Sequence, residues 1–364
     1  MASAGGPNLS DQGSNEPGVP TQTATDDMHD RPEQWSLLES RLEECRQIIL
    51  PVYDKADAAA SRHQRRHQWL TKIAAVAGTI AVLLVILELV WPEELHFVEV
   101  FAAGVEVFAA LAALVAVALG LLVSQLNSWL IERHKAERCR LLKYSFIIDP
   151  SLWDGDAQKA QERRRRLSDD AAAVDAIRTI EQPHRWLDEV HRPAFLAQLG
   201  NHHYEEPVLR QLIAYYRANR LHAQIAYFDD RIKRFAFPDR FTRVLPQWLF
   251  FISVLAAFVH FVLVLSKRET PLGVGISVAL LAALIAALLP VLGAGIRTYR
   301  MANEFGRNVK RFESTRHALN EMDRWLQEGV DAKTVFLTLW SCEHTLEIEH
   351  REWLRLMAET EWFG

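Results

Sequence analysis

Cysteine is scarce in this chain of 364 residues, which has only Cys45, Cys139 and Cys342, far apart in the sequence. An odd number of cysteines without CxxC spacing excludes a disulfide framework and a zinc-finger pattern. Lysine is also scarce, with 9 residues against 32 arginines, and the net charge of -5 provides no overall basic field for nucleic acid. No nucleophile elbow, Walker loop, GxGxxG, HExxH or kinase motif is present, so we expect no enzyme activity, no metal and no cofactor.

Charge is almost absent from four stretches of the chain. These stretches are residues 69–90, 100–123, 248–265 and 272–296. Together they have 89 residues but only three charged side chains, whereas the other 275 residues carry 84. Each stretch is close to the roughly 20 residues that a helix needs to cross hydrocarbon. The sequence therefore predicts an all-α integral membrane protein, with four transmembrane helices in two hairpins that cytosolic helices extend.

The distribution of lysine and arginine predicts the orientation. The connection 91–99 has neither residue, and the connection 266–271 has two, whereas the four opposite flanks hold twenty. Positive residues accumulate on the cytoplasmic side of membrane proteins. We therefore expect a multi-pass protein with both termini in the cytoplasm.

The chain divides into four parts by composition. Residues 1–34, rich in Gly, Ser, Thr, Pro, Asn and Asp, are predicted to be a disordered tail. Residues 35–148 form a unit of helix, two spans and helix, and 204–364 form a second such unit with a C-terminal helix. Residues 149–203 are predicted to be a charged cytosolic linker with one helix. Pro51 is expected to interrupt the first cytosolic helix.

Small residues at four-residue steps predict close helix packing within the spans. The residues concerned are Ala112, Ala116, Gly120, Ala279, Ala283 and Ala287. A general alanine bias of the genome would give the same pattern without a packing role. Pro290 is expected to kink the fourth span near its cytoplasmic end.

Besides Lys72, three ionisable residues lie within the spans, where such groups are costly and often functional. Glu88 and Glu106 are placed near the outer ends of the first two spans, and in an oligomer they would form a carboxylate ring typical of cation pores. The alternative is that Glu88 simply reaches water at the interface. His260 is either part of an ion pathway or a hydrogen-bonded packing residue.

Two further polar groups are candidate sites. The run Arg163, Arg164, Arg165 and Arg166 could bind anionic lipid or phosphate, although such a run is more often a solvated face. Glu347 and His350 form a Glu-x-x-His pair of the kind found in di-metal bundles. Because no second matching helix is evident, we interpret Glu347 and His350 as part of a solvated face.

Three segments carry a resemblance to a known family. They are RLHAQIAYFDDRI at 220–232, WLIERHKAERCRLLKY at 129–144, and the spacing Glu343-x5-Glu349-x3-Trp353. In these segments the chain resembles the SLATT superfamily of two-span membrane effectors. The resemblance covers roughly 35–148 and 204–355, but this chain has two span pairs where the family has one, and no fused nucleotide-sensing domain.

The resemblance implies a bacterial inner-membrane effector in nucleotide-signal or anti-phage conflict systems. Such a protein would form a homo-oligomer in the lipid bilayer, perturb or permeabilise the membrane, and take its signal from a cytosolic signalling partner or nucleotide-sensing protein. Two alternatives remain from the sequence itself. One is a membrane-anchored interaction or scaffold protein without pore activity, and the other is a secondary transporter, for which four spans are few.

Overall fold

Every regular element that the structure describes is helical. The computed structural model describes residues 27–88, 96–122, 125–153, 155–179, 205–266, 277–303, 305–328 and 331–359. The helices are α1 (Glu39–Glu88), α2 (His96–Leu122), α3 (Gln125–Ile147), α4 (Ala157–Asp175), α5 (Glu206–Tyr216), α6 (His222–Leu265), α7 (Val278–Asn303), α8 (Phe305–Glu328) and α9 (Ala332–Glu359). Short 3-10 turns precede α1, at Pro32–Gln34, and follow α3, at Pro150–Leu152.

Three helical segments in the described ranges are long and apolar enough to cross a membrane. They are Glu39–Ile86, Glu206–Leu265 and Val278–Arg300. These segments indicate a membrane protein, as the sequence predicts. The predicted span 100–123 falls largely within α2, where the shorter segment Gly104–Val115 is apolar. The connections 89–95 and 267–276, with the start of the fourth predicted span, lie outside the described residues.

Helix α1 is continuous, so the predicted interruption at Pro51 is wrong. A proline removes one backbone hydrogen bond but does not by itself end a helix whose faces are held by tertiary packing. Ile49 and Tyr53, on either side of Pro51, are both buried in the core. Helix α6 likewise continues through Pro238 and Pro246 into its apolar part.

Helices α6 and α7 pack antiparallel through contacts that repeat every seven residues on both helices. The contacts join Asp239 to Arg300, Pro246 to Gly293, Ser253 to Ala286 and His260 to Ala279. The Ser253 hydroxyl donates to the Ala286 carbonyl oxygen at 2.8 Å, and His260 Nδ1 lies 2.8 Å from the Ala279 carbonyl oxygen. A seven-residue repeat keeps one face of each helix against its neighbour, as in a coiled coil.

A helical bundle outside the apolar segments holds the main core. On α1 and the residues before it, the buried side chains follow three- and four-residue steps. These side chains are Leu38, Leu42, Cys45 and Ile49. One face of α9 is buried in the same core through Val335, Leu339, Cys342 and Leu346. The long helix α1 thus contacts α2 along its apolar half and α3 along its charged half, and α6 contacts α7 and α8 in the same way.

Two segments predicted to lie outside the folded units belong to this core. In the predicted tail, Asp27, Met28 and Pro32 are buried, so residues 27–34 are ordered, whereas residues 1–26 lie outside the described part. In the predicted linker, α4 buries Leu167 against the core. The tail has few apolar residues and makes its contacts largely through charged groups, so its sequence does not predict this packing.

Replacing Gly293 by leucine tests the α6–α7 contact. A Cβ atom at Gly293 would lie 3.8 Å from the Pro246 backbone, so a leucine side chain must push the helices apart. We expect a loss of about 1–3 kcal/mol, measured as a lower thermal unfolding midpoint of the detergent-solubilised protein. Gly104→Leu is the matched control, since nothing lies within 4 Å of its Cβ position. Equal destabilisation by both substitutions would contradict the packing.

Candidate functional site

The bundle buries several charged side chains that belong to no predicted site. Arg138, Arg140, Lys143 and Arg220 are 1–4 % exposed, and Glu343 is fully buried. Arginine and lysine are almost never fully buried unless they are paired. We call the group around Arg220 the charge cluster. It consists of Asp27, Asp30, Arg133, Glu137, Arg140, Lys143, Arg220 and Glu343, with the hydroxyls of Tyr53, Tyr144, Tyr215 and Tyr216.

Arg220 is the centre of the charge cluster and uses all of its nitrogen atoms. Its Nε and Nη2 atoms donate to the two carboxylate oxygens of Glu343, each at 3.0 Å. Its Nη1 atom donates to Asp27 Oδ2 at 2.9 Å. The guanidinium carbon lies 4.7 Å from the centroid of the Tyr144 ring. This planar, two-sided pairing is a geometry that arginine provides and lysine does not.

A π-helical turn, Arg217–Leu221, places Arg220 in this position between α5 and α6. Such turns insert one extra residue into a helix and occur frequently at functional sites. Arg217, one turn earlier, pairs with Asp323 on α8 at 2.7 Å, while Arg220 pairs with Glu343 on α9. The turn therefore holds the two C-terminal helices through two arginines.

The segment before α1 supplies the second acidic side of the charge cluster. We call residues 27–38 the N-terminal strap. Asp27 Oδ1 accepts from Arg140 Nε at 2.9 Å, and the Asp27 carbonyl oxygen accepts from Lys143 Nζ at 2.6 Å. Lys143 also lies 3.1 Å from Asp30, whose carboxylate accepts from the Tyr215 hydroxyl. The strap thus crosses the basic face of α3.

The charge cluster is electrically balanced. Its cations are Arg133, Arg140, Lys143 and Arg220, and its anions are Asp27, Asp30, Glu137 and Glu343. Glu137 links two of the cations, because it accepts from Arg140 Nη1 at 2.6 Å and also pairs with Arg133. The four positive and four negative groups of the cluster balance one another, which lowers the cost of burying them. Arg133 also lies 3.8 Å from the carboxylate of Asp57, which is one-third exposed.

The pKa shifts of Glu137 and Arg220 keep both groups ionised at neutral pH. Burial alone would raise the pKa of Glu137, but Arg140 and Arg133 hold it well below its usual range. Burial disfavours the Arg220 cation, yet Glu343 and Asp27 raise its pKa well above the usual value. Burial raises the pKa of the Tyr144 and Tyr216 hydroxyls, so both remain protonated donors. The cluster is therefore suited to holding anions rather than to exchanging protons.

A second buried polar group joins α3 to α9. Arg138 Nη1 donates to Glu347 Oε1 at 2.7 Å, and the His134 and His350 rings stack with Nδ1 and Nε2 3.1 Å apart. Burial lowers the pKa of His350 to about 3, so its ring is neutral at physiological pH. The interpretation of Glu347 and His350 as a solvated face is wrong: both are buried, because α3 brings a cation and a ring against them. In the described ranges no group of three or more potential ligands is arranged for a metal ion.

The ionisable residues predicted for the spans are not near the charge cluster. Glu88 ends α1, and its side chain lies outside the described part. Glu106 is half-buried on α2. His260 contacts the Ala279 carbonyl oxygen between α6 and α7. The predicted pairing of Glu88 with Glu106 stays a prediction.

Among the predicted packing residues and in the arginine run, some side chains are half-buried and others are exposed. Ala112 is half-buried on α2, next to Ala113, which faces Gly78 of α1, and the side-chain positions of Ala116 and Gly120 are not described. On α7, Ala279 and Ala283 are half-buried, whereas Ala287 and Pro290 are exposed. In the run, Arg163 pairs with Asp149 at 2.7 Å and Arg166 with Glu162, while Arg164 and Arg165 are exposed.

Comparisons with protein-family models, with curated proteins and with solved structures find no match to this chain. One sequence signal could have pointed to the charge cluster. The three segments that carry the SLATT resemblance contain Arg140, Arg220 and Glu343, which are distant in sequence and meet in the interior.

Substituting Arg220 by glutamine tests whether the charge cluster holds the bundle together. The change leaves Glu343 and Asp27 buried with too few cations, so we expect a loss of about 3–5 kcal/mol in stability. The measurement is chemical unfolding followed by circular dichroism in detergent.

Arg210→Gln is the matched control for this substitution. Arg210 also pairs with a carboxylate, that of Glu206, but both side chains are largely exposed. Exposed pairs contribute little to stability, so this variant should unfold like the wild type. Similar unfolding curves for the Arg220 and Arg210 variants would show that the buried ion pairs contribute no more to stability than the exposed pair does.

Proposed function

We propose that this protein is a membrane effector that oligomerises and perturbs or permeabilises the membrane in response to a cytosolic signal. The observation that carries the proposal is the continuity of two helices between the bundle and the apolar segments. Helix α1 contributes Tyr53 to the charge cluster and continues to Glu88, and α6 begins directly after Arg220 and continues to Leu265. A rearrangement of the bundle would therefore move the apolar segments as rigid extensions.

The exposed surface of α6 supports a lipid-facing role. From Trp248 to Leu265 its large side chains are mostly open, including Phe250 and Phe258, which are more than 60 % exposed. A contiguous apolar surface along the whole of 248–265 is rare on soluble proteins, and such surfaces mark membrane or protein contacts. The nearly uncharged composition of the same segment favours lipid.

We infer four spans in two hairpins from these segments together with α2. The antiparallel contact of α6 with α7 is consistent with one hairpin, and the approach of Ala113 to within 4.0 Å of the Cβ position of Gly78 is consistent with α1 and α2 forming the other. With the lysine and arginine asymmetry, this arrangement favours an orientation with both termini in the cytoplasm. Small residues at the helix faces favour assembly into a homo-oligomer.

The SLATT resemblance supports a place in the bacterial inner membrane and a role in nucleotide-signal or anti-phage conflict. Its three segments supply residues of the charge cluster rather than the apolar spans alone. A cytosolic partner or nucleotide-sensing protein would then act on the bundle. The competing function is a membrane-anchored scaffold, in which the spans only tether the bundle.

Cation flux through reconstituted protein distinguishes the effector from the tether. The double substitution of Glu88 and Glu106 by glutamine removes both carboxylates from the inferred outer mouth. If these groups concentrate cations, the ratio of potassium to chloride permeability in proteoliposomes should fall. The permeabilities are measured with ion-sensitive dyes trapped in the vesicles.

Glu93 and Glu94 provide the matched control, since their double substitution by glutamine removes the same charge from the connecting loop. Insertion and orientation are checked by labelling a cysteine at Pro92 with an impermeant reagent from outside. Unchanged cation selectivity in the Glu88 and Glu106 variant would show that these two carboxylates do not form a selective ring. A correctly inserted wild type without flux under any added nucleotide or partner would favour the tether.

A further inference from the structure

The N-terminal strap lies in a pocket whose walls are built to hold an anion. Three cations from two different elements converge on it: Arg140 and Lys143 from α3, and Arg220 from the π-helical turn. The hydroxyl of Tyr144 adds a donor to the Asp27 carbonyl oxygen at 3.2 Å. All four side chains are 4 % exposed or less. The occupant of this pocket is the chain's own residue Asp27, with Asp30 beside it.

Charge counting shows what the pocket requires. Without Asp27 and Asp30, the cluster would lose two negative charges and keep four cations against the carboxylates of Glu137 and Glu343. Asp57, 3.8 Å from Arg133, would reduce the excess to one positive charge. Buried charge without compensation is strongly unfavourable, so the strap can leave only if another anion replaces it. A phosphate group carries about two negative charges at neutral pH and several strong acceptor oxygens. It would match both the missing charge and the arginine and lysine donors.

The strap is attached in a way that permits such an exchange. It contains only the short turn Pro32–Gln34, and its backbone hydrogen bonds are local to the strap and the start of α1. Outside the charge cluster it is held by the Leu37 amide, which donates to Gln211 at 2.7 Å, by the Trp35 ring against Tyr215, and by His29 Nε2 at 3.2 Å from Asp54. Met28 and Leu38 also pack in the core. Helix α1 begins after the strap, at Glu39, so separation of the residues around Asp27 and Asp30 takes Met28 out of the core but unfolds no helix.

We propose that the pocket formed by Arg140, Lys143, Arg220 and Tyr144 binds a soluble phosphate-bearing anion in place of Asp27 and Asp30 of the N-terminal strap. The strap then acts as a built-in competitor that the anion releases. A lipid headgroup is the less suitable source of phosphate, because α6 extends about 40 Å between the π-helical turn and Trp248, where its apolar run begins. The pocket is independent of whether the protein forms a pore.

Hydrogen–deuterium exchange of residues 27–38 tests the proposal on the purified full chain in uncharged detergent. The probe is inorganic pyrophosphate, compared with sodium chloride at equal ionic strength. We expect pyrophosphate to accelerate exchange in the strap while the central turns of α3 and α9 stay protected. Nanodiscs containing phosphatidic acid, without pyrophosphate, form the lipid arm of the experiment.

The variant D27N/D30N removes the competing charges and keeps the size of both side chains. Its strap should exchange rapidly without ligand, and pyrophosphate should bind about tenfold more tightly or better, because the competitor is lost. D175N/D229N is the matched control, since Asp175 and Asp229 form ion pairs on the surface and should leave binding unchanged. D30N alone serves if the first variant does not fold.

Two results would overturn the proposal. One is strap exchange in the wild type that pyrophosphate leaves unchanged, or that only phosphatidic acid alters. The other is pyrophosphate affinity that does not rise in D27N/D30N or in D30N. Release of the strap by pyrophosphate without any membrane flux would leave the pocket in place and count against the proposed function alone.

Discussion

The pairing of Arg220 with Asp27 and Glu343 is the constraint on which the rest of the bundle depends. Its partners lie 193 and 123 residues away in sequence, so this one side chain fixes three distant segments against each other. A buried guanidinium must keep its hydrogen-bonded partners, because an unpaired ion in the interior costs several kcal/mol. The strap, the π-helical turn and α9 therefore meet at this point of the folded bundle.

The long helices extend this constraint to the apolar segments. Helix α6 has 44 residues without a break, so the orientation of its apolar end is set by how its first turn is held. The seven-residue repeat of contacts with α7 then fixes the second helix of the pair. This arrangement joins the bundle, without a break in α6, to the segments that indicate a membrane protein.

Much of this fold could be predicted from sequence because its signals are local. A run without charge, such as 248–265, identifies an apolar helix wherever the rest of the chain lies, and the spacing of Leu38, Leu42 and Ile49 indicates a buried face. The charge cluster gives no such signal, since arginine is normally read as exposed and its burial depends on partners more than a hundred residues away. Because burial depends on such distant partners, the sequence predicts a disordered tail around Asp27 and a solvated face for Glu347 and His350.

The most direct test measures the distance between residue 65 of α1 and residue 240 of α6, where each helix approaches its apolar segment, by double electron–electron resonance. Spin labels at Arg65→Cys and Arg240→Cys occupy exposed positions, and the three native cysteines are buried and react poorly. If Arg220 fixes the bundle, a single narrow distance distribution is expected, and adding Arg220→Gln should broaden or shift it. The same narrow distribution with and without Arg220 would contradict the central role of this residue.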